Sequence, residues 1–283
     1  MKIRVWGSRG SIPSPGMHTL RYGGNSTCFE IRTLENQIII LDGGSGLRKL
    51  GDAILLEEDL SKIYFVLTHS HWDHLMGFPF FTPAYFSNYS IQVCGGPIAQ
   101  STLKKYLAHQ MEAPYFPVDF SVMKAKFHFG NEAPNKSTIG LVGVDPIPLS
   151  HPNGGYGYKF SKSGKTFVFL TDNELGFIHE GGRSFEDYVE FCMGADLLIH
   201  DAQYTDREYE KKKSWGHSTF VDATNLAIAA KVKRFGICHH DPDRSDSELD
   251  ELVTQCREKI TKAGPTMECF GTEEGMEIDL TAI

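Results

Sequence analysis

The chain has 283 residues and a net charge of −8, from 28 Lys and Arg against 36 Asp and Glu. With 41% hydrophobic and 23% charged residues it has the composition of a soluble globular protein, long enough to bury a large core. No apolar run of about 18 residues is present, which excludes a membrane-spanning helix, and the acidic balance argues against gripping a long polynucleotide by its phosphates.

The N-terminal "MKIRVWGSRG" has no apolar signal segment and reads as a first strand. "IRVWG", "TCFEIR", "QIIILDGG", "KIYFVLTHS" and "SIQVCGG" are short runs bounded by Gly, Asn or Asp, so the first 95 residues read as β-rich. Between the last two lie a histidine cluster and the proline-broken aromatic stretch "GFPFFTPAYFSNY". "PIAQSTLKKYLAHQ" reads as a helix opened by Pro97, and "MEAPYFPVDF" as a covering loop. A second β-rich stretch runs from about Val122 to Thr171 and includes a hairpin with its turn at Ser163–Gly164.

The last third alternates helix ("SFEDYVEFCMG"), strand ("ADLLIHDAQ"), helix ("STFVDATNLAIAAKV") and strand ("RFGICHH"). A final helix, "SDSELDELVTQCREKITKAG", starts on a Ser/Asp cap and closes on Gly. Its apolar face is Leu249, Leu252, Val253, Cys256 and Ile260. There is no repeat and no linker, so residues 1–283 are expected to form one domain. Two β-rich halves, each followed by helices, imply an α/β fold of two mixed sheets facing each other with helices outside, four layers in all. The six cysteines form no C-x-x-C pair and are expected to be free thiols in a cytoplasmic protein.

The chemistry concentrates in "VLTHSHWDHLMG", residues 66–77. In an extended segment residues i and i+2 face one side. His69 and His71 can therefore present their imidazoles together, with Asp73 and His74 on the following turn. Imidazole and carboxylate together suit Zn²⁺ or a similar first-row ion. Further ligand types stand at other strand ends: His151 in "PIPLSHPNGG", Asp172 in "FVFLTDNE", and His239 and His240 in "FGICHHDPDRSD".

With "LDGG" and "THSHWDH", these single-residue motifs resemble the metallo-β-lactamase superfamily of metal hydrolases over nearly the whole chain. The resemblance implies the αβ/βα sandwich with its site at the sheet edges. One metal would be held by His69, His71 and His151, a second by Asp73, His74 and His240, with Asp172 bridging. The cofactors implied are two divalent metal ions, zinc first with manganese or iron as alternatives, and no organic cofactor. His240 is chosen over His239 on register, because ribonuclease Z-like members carry an arginine four residues after the last histidine ligand and Arg244 stands there. His239 would then face the core or back the site.

"SWGHSTFVDATNLA" is similar to the His-Ser-Thr motif of ribonuclease Z and the cyclic phosphodiesterases. "LLIHDAQY" resembles their preceding acidic motif, with Asp201 where ribonuclease Z has Glu. His217 backed by Asp201 would protonate the alkoxide leaving group of a phosphodiester, attacked by a hydroxide shared between the metals; such acid catalysis is typically worth ~10²–10⁴ in rate. The alternative is that His217 caps the helix beginning near Ser218. His217, Asp201 and Asp73 are the catalytic candidates. Asp42 is either a turn residue or the carboxylate that orients His69 or His71.

No flexible basic arm of the ribonuclease Z kind is present. Arg9, His18 and Arg21 could meet a phosphate or a base, and Tyr115 and Phe116 could stack on one. The expected activity is that of a phosphodiesterase on a small cyclic nucleotide or short nucleotide ester, with no stable polynucleotide binding, no membrane and a homodimeric assembly. A thioester or lactone hydrolase and a non-catalytic metal sensor are the alternatives.

Overall fold

The computed structural model describes residues 1–95, 102–130 and 137–281. Strands β1 (Lys2–Gly7), β2 (Cys28–Arg32), β3 (Ile38–Leu41), β4 (Lys62–Leu67), β5 (Ser90–Gly95) and β6 (Lys126–Phe129) belong to the first half. Strands β7 (Ser137–Ile139), β8 (Val142–Pro148), β9 (Tyr156–Lys162), β10 (Lys165–Leu170), β11 (Leu197–Asp201), β12 (Arg234–Cys238), β13 (Glu268–Gly271) and β14 (Glu277–Asp279) follow. The helices are α1 (Leu47–Ile54), α2 (Leu103–His109), α3 (Phe185–Cys192), α4 (Asp206–Lys212), α5 (Phe220–Ala229) and α6 (Asp246–Ala263). Pro97, expected to open α2, lies outside the described residues. No helix among them is long and apolar enough to cross a membrane.

Two seven-stranded sheets result, in the orders β14-β1-β2-β3-β4-β5-β6 and β13-β12-β11-β10-β9-β8-β7. Each is part antiparallel and part parallel, with β3 to β6 parallel in one and β10 to β13 in the other. Strand alternation sorts the side chains into layers. On β4, Tyr64 and Val66 point between the sheets, whereas Ile63, Phe65 and Leu67 face the α1 and α2 side. On β10, Phe167 and Phe169 join the intersheet core while Val168 and Leu170 pack beneath α3, α5 and α6. The expected four layers are present, and all five apolar residues assigned to the face of α6 are buried.

Ser163 (φ 52°) and Gly164 (φ 74°) form the β9–β10 turn, the left-handed pair that the twist of a tight hairpin requires. Ser245 and Glu248 close a capping box on α6, and Gly264 (φ 94°) ends it. Two helices went unrecognised in the sequence. One is α1, inside the stretch read as β-rich. The other is α4, whose capping box of Thr205 and Glu208 was its one local signal. The consequence for function is that the ends of β3, β4, β10, β11 and β12 converge. The carboxyl ends of parallel strands are where open α/β sheets place their ligand sites.

Candidate metal centre

Three of these strand ends stop on a residue in the left-handed region: Asp42 (φ 59°) after β3, Asp172 (φ 55°) after β10 and His239 (φ 57°) after β12. A non-glycine residue there costs about 1 kcal/mol and persists where its surroundings over-determine it. Each turns the chain sharply off its strand. At these turns Asp172 and His239 are carried into one buried cluster with the His-x-His-x-Asp-His residues, and Asp42 to its edge.

The cluster falls into overlapping groups whose ligand atoms lie within 4.8 Å of one another: His69, His71, His151 and Asp172; Asp73, His74 and His239; and Asp172, His217 and His239. Asp172 stands between the first two. Its Oδ2 is 3.6 Å from Nε2 of both His69 and His151, and its Oδ1 is 3.2 Å from Nε2 of both His74 and His239. Asp73 Oδ2 is 3.3 Å from His74 Nε2 and 3.2 Å from His239 Nε2, and accepts the Ser11 N–H at 2.9 Å.

The last histidine is therefore His239, and the expectation for His240 is corrected. The His240 backbone pairs with Ser8 and Gly10, and its Nε2–H donates to the Thr272 carbonyl at 2.9 Å. Its ring meets Tyr22 edge-on, away from the cluster. Arg244, whose register favoured His240, pairs instead with Glu208, and the positive φ at His239 turns the chain at that residue. Gly10 leaves the room: a Cβ built on it would sit 2.2 Å from His239 Nδ1.

Buried groups fix the far nitrogen of His69, His74, His151 and His239. His74 Nδ1–H donates to Asp42 Oδ2 at 2.9 Å. The same carboxylate accepts the Thr68 N–H and hydroxyl, both at 2.8 Å, and Thr68 Oγ1 lies 3.0 Å from His69 Nδ1. Asp42 thus orients His74 directly and His69 through Thr68. Expected beside His69 or His71, it reaches neither ring by direct contact. His151 Nδ1–H donates to the Gly216 carbonyl at 2.9 Å, and His239 Nδ1–H to Gln203 Oε1 at 3.2 Å. Fixing the tautomer this way leaves a lone pair aimed inward, as metal-binding imidazoles require. Thr68, Gln203, Gly10 and Gly216 were not singled out in the sequence, because a hydroxyl, an amide or a glycine gives no periodic or spacing signal.

The cluster's own groups fit divalent cations. His69 Nε2 and His74 Nε2 are buried without a hydrogen-bond partner. Burial opposes ionisation of Asp73 and Asp172, but the surrounding imidazoles outweigh it and hold both carboxyls well below their usual range. Burial likewise opposes charge on His74 and His239, yet neighbouring carboxylates raise both. Burial first, helped by His217 and His71 and opposed by Asp172, pushes His151 down to about 3, a neutral ring.

Beside the cluster, His217 stacks on His239 with centroids 4.8 Å apart, and its Nδ1 is 3.3 Å from Asp201 Oδ2. Asp201 accepts the N–H groups of Asn173 and Ser218, each at 3.1 Å. Burial drives both partners toward neutrality, His217 down to about 3 and Asp201 up to about 7. The helix-capping alternative fails, since Thr219 is the α5 N-cap and accepts the Asp222 N–H.

Outside the cluster, some of the residues considered for substrate contact are engaged within the protein. Arg9 is fully buried and spends its guanidinium on the carbonyls of Gly23, Asp241 and Arg244, while Arg21 pairs with Asp246 and Asp250. Phe116 packs edge-on against Phe80, whereas Tyr115 is 77% exposed.

Fold and site together define a metal-dependent hydrolase, two α/β layers closing over a histidine–aspartate centre. The chain belongs to the beta-lactamase superfamily: the family model described as "Beta-lactamase superfamily domain" matches residues 38–240. Ribonuclease Z of Haloferax volcanii is 32% identical over 119 residues, an alignment spanning 42% of this chain and only 33% of that relative. Ribonuclease Z of Picrophilus torridus is 23% identical over 88% of each chain. A crystal structure described as a new diphosphatase from the PhnP family superposes with a TM-score of 0.68 over 99% of this chain and 97% of that one, at 18% identity.

Proposed function

We propose that the protein is a dinuclear-metal phosphodiesterase acting on a small cyclic nucleotide or short nucleotide ester. His69, His71 and His151 would hold one ion, Asp73, His74 and His239 the other, with Asp172 shared between them. Zinc is the first candidate, because imidazole and carboxylate donors suit it. Bound ions would supply a nucleophile from water at neutral pH and offset charge on the phosphoryl oxygens.

The observation that carries the reading is the buried His217–Asp201 pair lying against the cluster. An alkoxide leaves poorly without a proton, and this pair can deliver one beside the reacting phosphorus; a thiolate, the leaving group of a thioester, needs none. Near neutral pH Asp201 can hold a proton, and His217, whose Nδ1 is 3.3 Å from Asp201 Oδ2, lies beside it and against the cluster. Asp73, held by the Ser11 N–H, lies beside the Nε2 atoms of His74 and His239, where the three could share one ion.

Metal analysis and a substrate panel test the reading. Two equivalents of metal per chain, with turnover of 2′,3′- or 3′,5′-cyclic nucleotides and of bis-p-nitrophenyl phosphate, are expected. His217→Ala should lose ~10²-fold or more on the cyclic nucleotide and much less on the nitrophenyl ester, whose leaving group needs no proton. Equal losses on both would remove His217 from the acid role. A longer RNA substrate is the second reading, supported by the ribonuclease Z names of the curated relatives. It would prevail if precursor RNA were cleaved and the small esters were not. We also propose a homodimer, to be read from light scattering.

A further inference from the structure

We propose that Glu174 is a positioning residue that sets both His217 and His151 by anchoring the 214–218 segment. Its side chain is fully buried in the "TDNE" turn, two residues beyond Asp172. Four donors converge on the one carboxylate. Oε1 accepts from the Tyr209 hydroxyl at 2.6 Å and the Ser214 N–H at 2.7 Å. Oε2 accepts from the Gly216 N–H at 2.7 Å and pairs with His179 Nε2 at 2.8 Å.

Alternate amides of one loop are thus drawn onto a single anion. That loop needs holding, since Ser214 (φ 71°) and Gly216 (φ 95°) both lie in the left-handed region. Gly216 has two roles: its N–H is held by Glu174, while its carbonyl takes the His151 Nδ1–H at 2.9 Å. His217 follows directly. On its far side, the Ser218 hydroxyl donates to the Asn173 carbonyl at 2.6 Å, and the Ser218 N–H to Asp201. The Glu174 N–H itself bonds to the Ser150 carbonyl at 2.8 Å, next to His151. One buried carboxylate therefore links the turns that carry Asp172, His151 and His217.

The effect on turnover rests on the acid role proposed for His217; the effect on metal binding does not. Glu174→Gln replaces one acceptor oxygen by an amide nitrogen, so one of the two backbone N–H groups, Ser214 or Gly216, loses its acceptor whichever way the amide turns. Competition against a chromophoric chelator should show at least one ion bound about tenfold or more weakly in Glu174→Gln, as His151 loosens. The kcat for a cyclic nucleotide should fall at least ten times further than that for bis-p-nitrophenyl phosphate, with KM little changed. A folded variant with wild-type metal affinity and an unchanged kcat ratio overturns the proposal.

Should Glu174→Gln fail to fold, Glu174→Asp keeps the buried charge but sets it back by one methylene. It should show both effects in the same direction, and wild-type behaviour overturns the proposal equally. If the wild-type protein hydrolyses neither ester, the functional reading falls, and the chelator competition still decides the positioning role.

Discussion

The His239–His240 pair is the sharpest residue-scale contrast, because two adjacent and chemically identical side chains have opposite surroundings. His239 contributes Nε2 to the cluster, whereas His240 spends Nε2 on the Thr272 carbonyl. His239→Ala should reduce bound metal from two equivalents to one. His240→Ala should leave metal content unchanged while lowering stability by about 1–3 kcal/mol, the cost of stranding a buried acceptor. Metal analysis and denaturant melts on the two variants separate these outcomes, and the reverse result would restore His240 as a ligand. Asp42→Asn addresses the hydrogen-bond chain behind His74 and His69. An amide cannot accept all three donors that converge on this carboxylate, so metal affinity should fall about 10–100-fold. Chelator competition measures it.

Individual turns and caps set the site's geometry at the scale of elements. Gly10, beyond β1, lies flush against the His239 ring, so Gly10→Ala would force the imidazole aside and should weaken metal binding about tenfold or more. Far-UV circular dichroism should show the sheets unchanged. At α4, Glu208 closes the capping box and pairs with Arg244 at 2.7 Å. Burial opposes its ionisation, but Arg244 and Thr205 outweigh it and leave the carboxyl at about 2, against an ordinary 4.5. A depressed carboxyl stabilises the fold fully above its unfolded value and ceases to do so as pH falls through the folded one. Glu208→Gln should therefore be less stable than wild type at pH 7, and the gap should close between about pH 4.5 and pH 2. Urea melts across that range check the sign.

The molecule as a whole is a pair of sheets pinned together at the site. The β1 extension, Ser8 to Gly10, bonds to His240 beyond β12, so the first sheet is tied to the second at the foot of the cluster. The three apolar cores consist of residues outside the cluster, which predicts that metal removal leaves the fold intact. Ions that bind only the native state add ~2.7 kcal/mol per site at a hundredfold excess over Kd. Dialysis against chelator should accordingly lower Tm without abolishing the cooperative transition, and added Zn²⁺ should restore it. Collapse of the apoprotein to an unfolded chain would show that the cluster carries the fold.

Strand and helix identities were legible in the sequence wherever the signal was local. Apolar runs ended by Gly or Asp marked most of the strands, and the cap, Gly stop and five-residue face of α6 were read directly. The short helix α1 does space Leu47, Leu50 and Ile54 as a helix face, but it was overlooked within the β-rich stretch, while α4 buries no residue and has no apolar face to read. Of the residues in the cluster, His69, His71, Asp73, His74, His151 and Asp172 were also accessible, as ligand types at or just beyond the ends of apolar runs, and His217 through the resemblance of its His-Ser-Thr motif. Which neighbour turns inward was not. The left-handed φ of His239 and the cleared space at Gly10, 229 positions earlier in the numbering, decide between two adjacent histidines. Tertiary packing likewise buried Arg9, gave Asp42 to His74 and brought four donors to Glu174. Patterning along the chain records which face of an element is apolar; hydrogen-bond partners hundreds of residues apart exist only once the layers have closed.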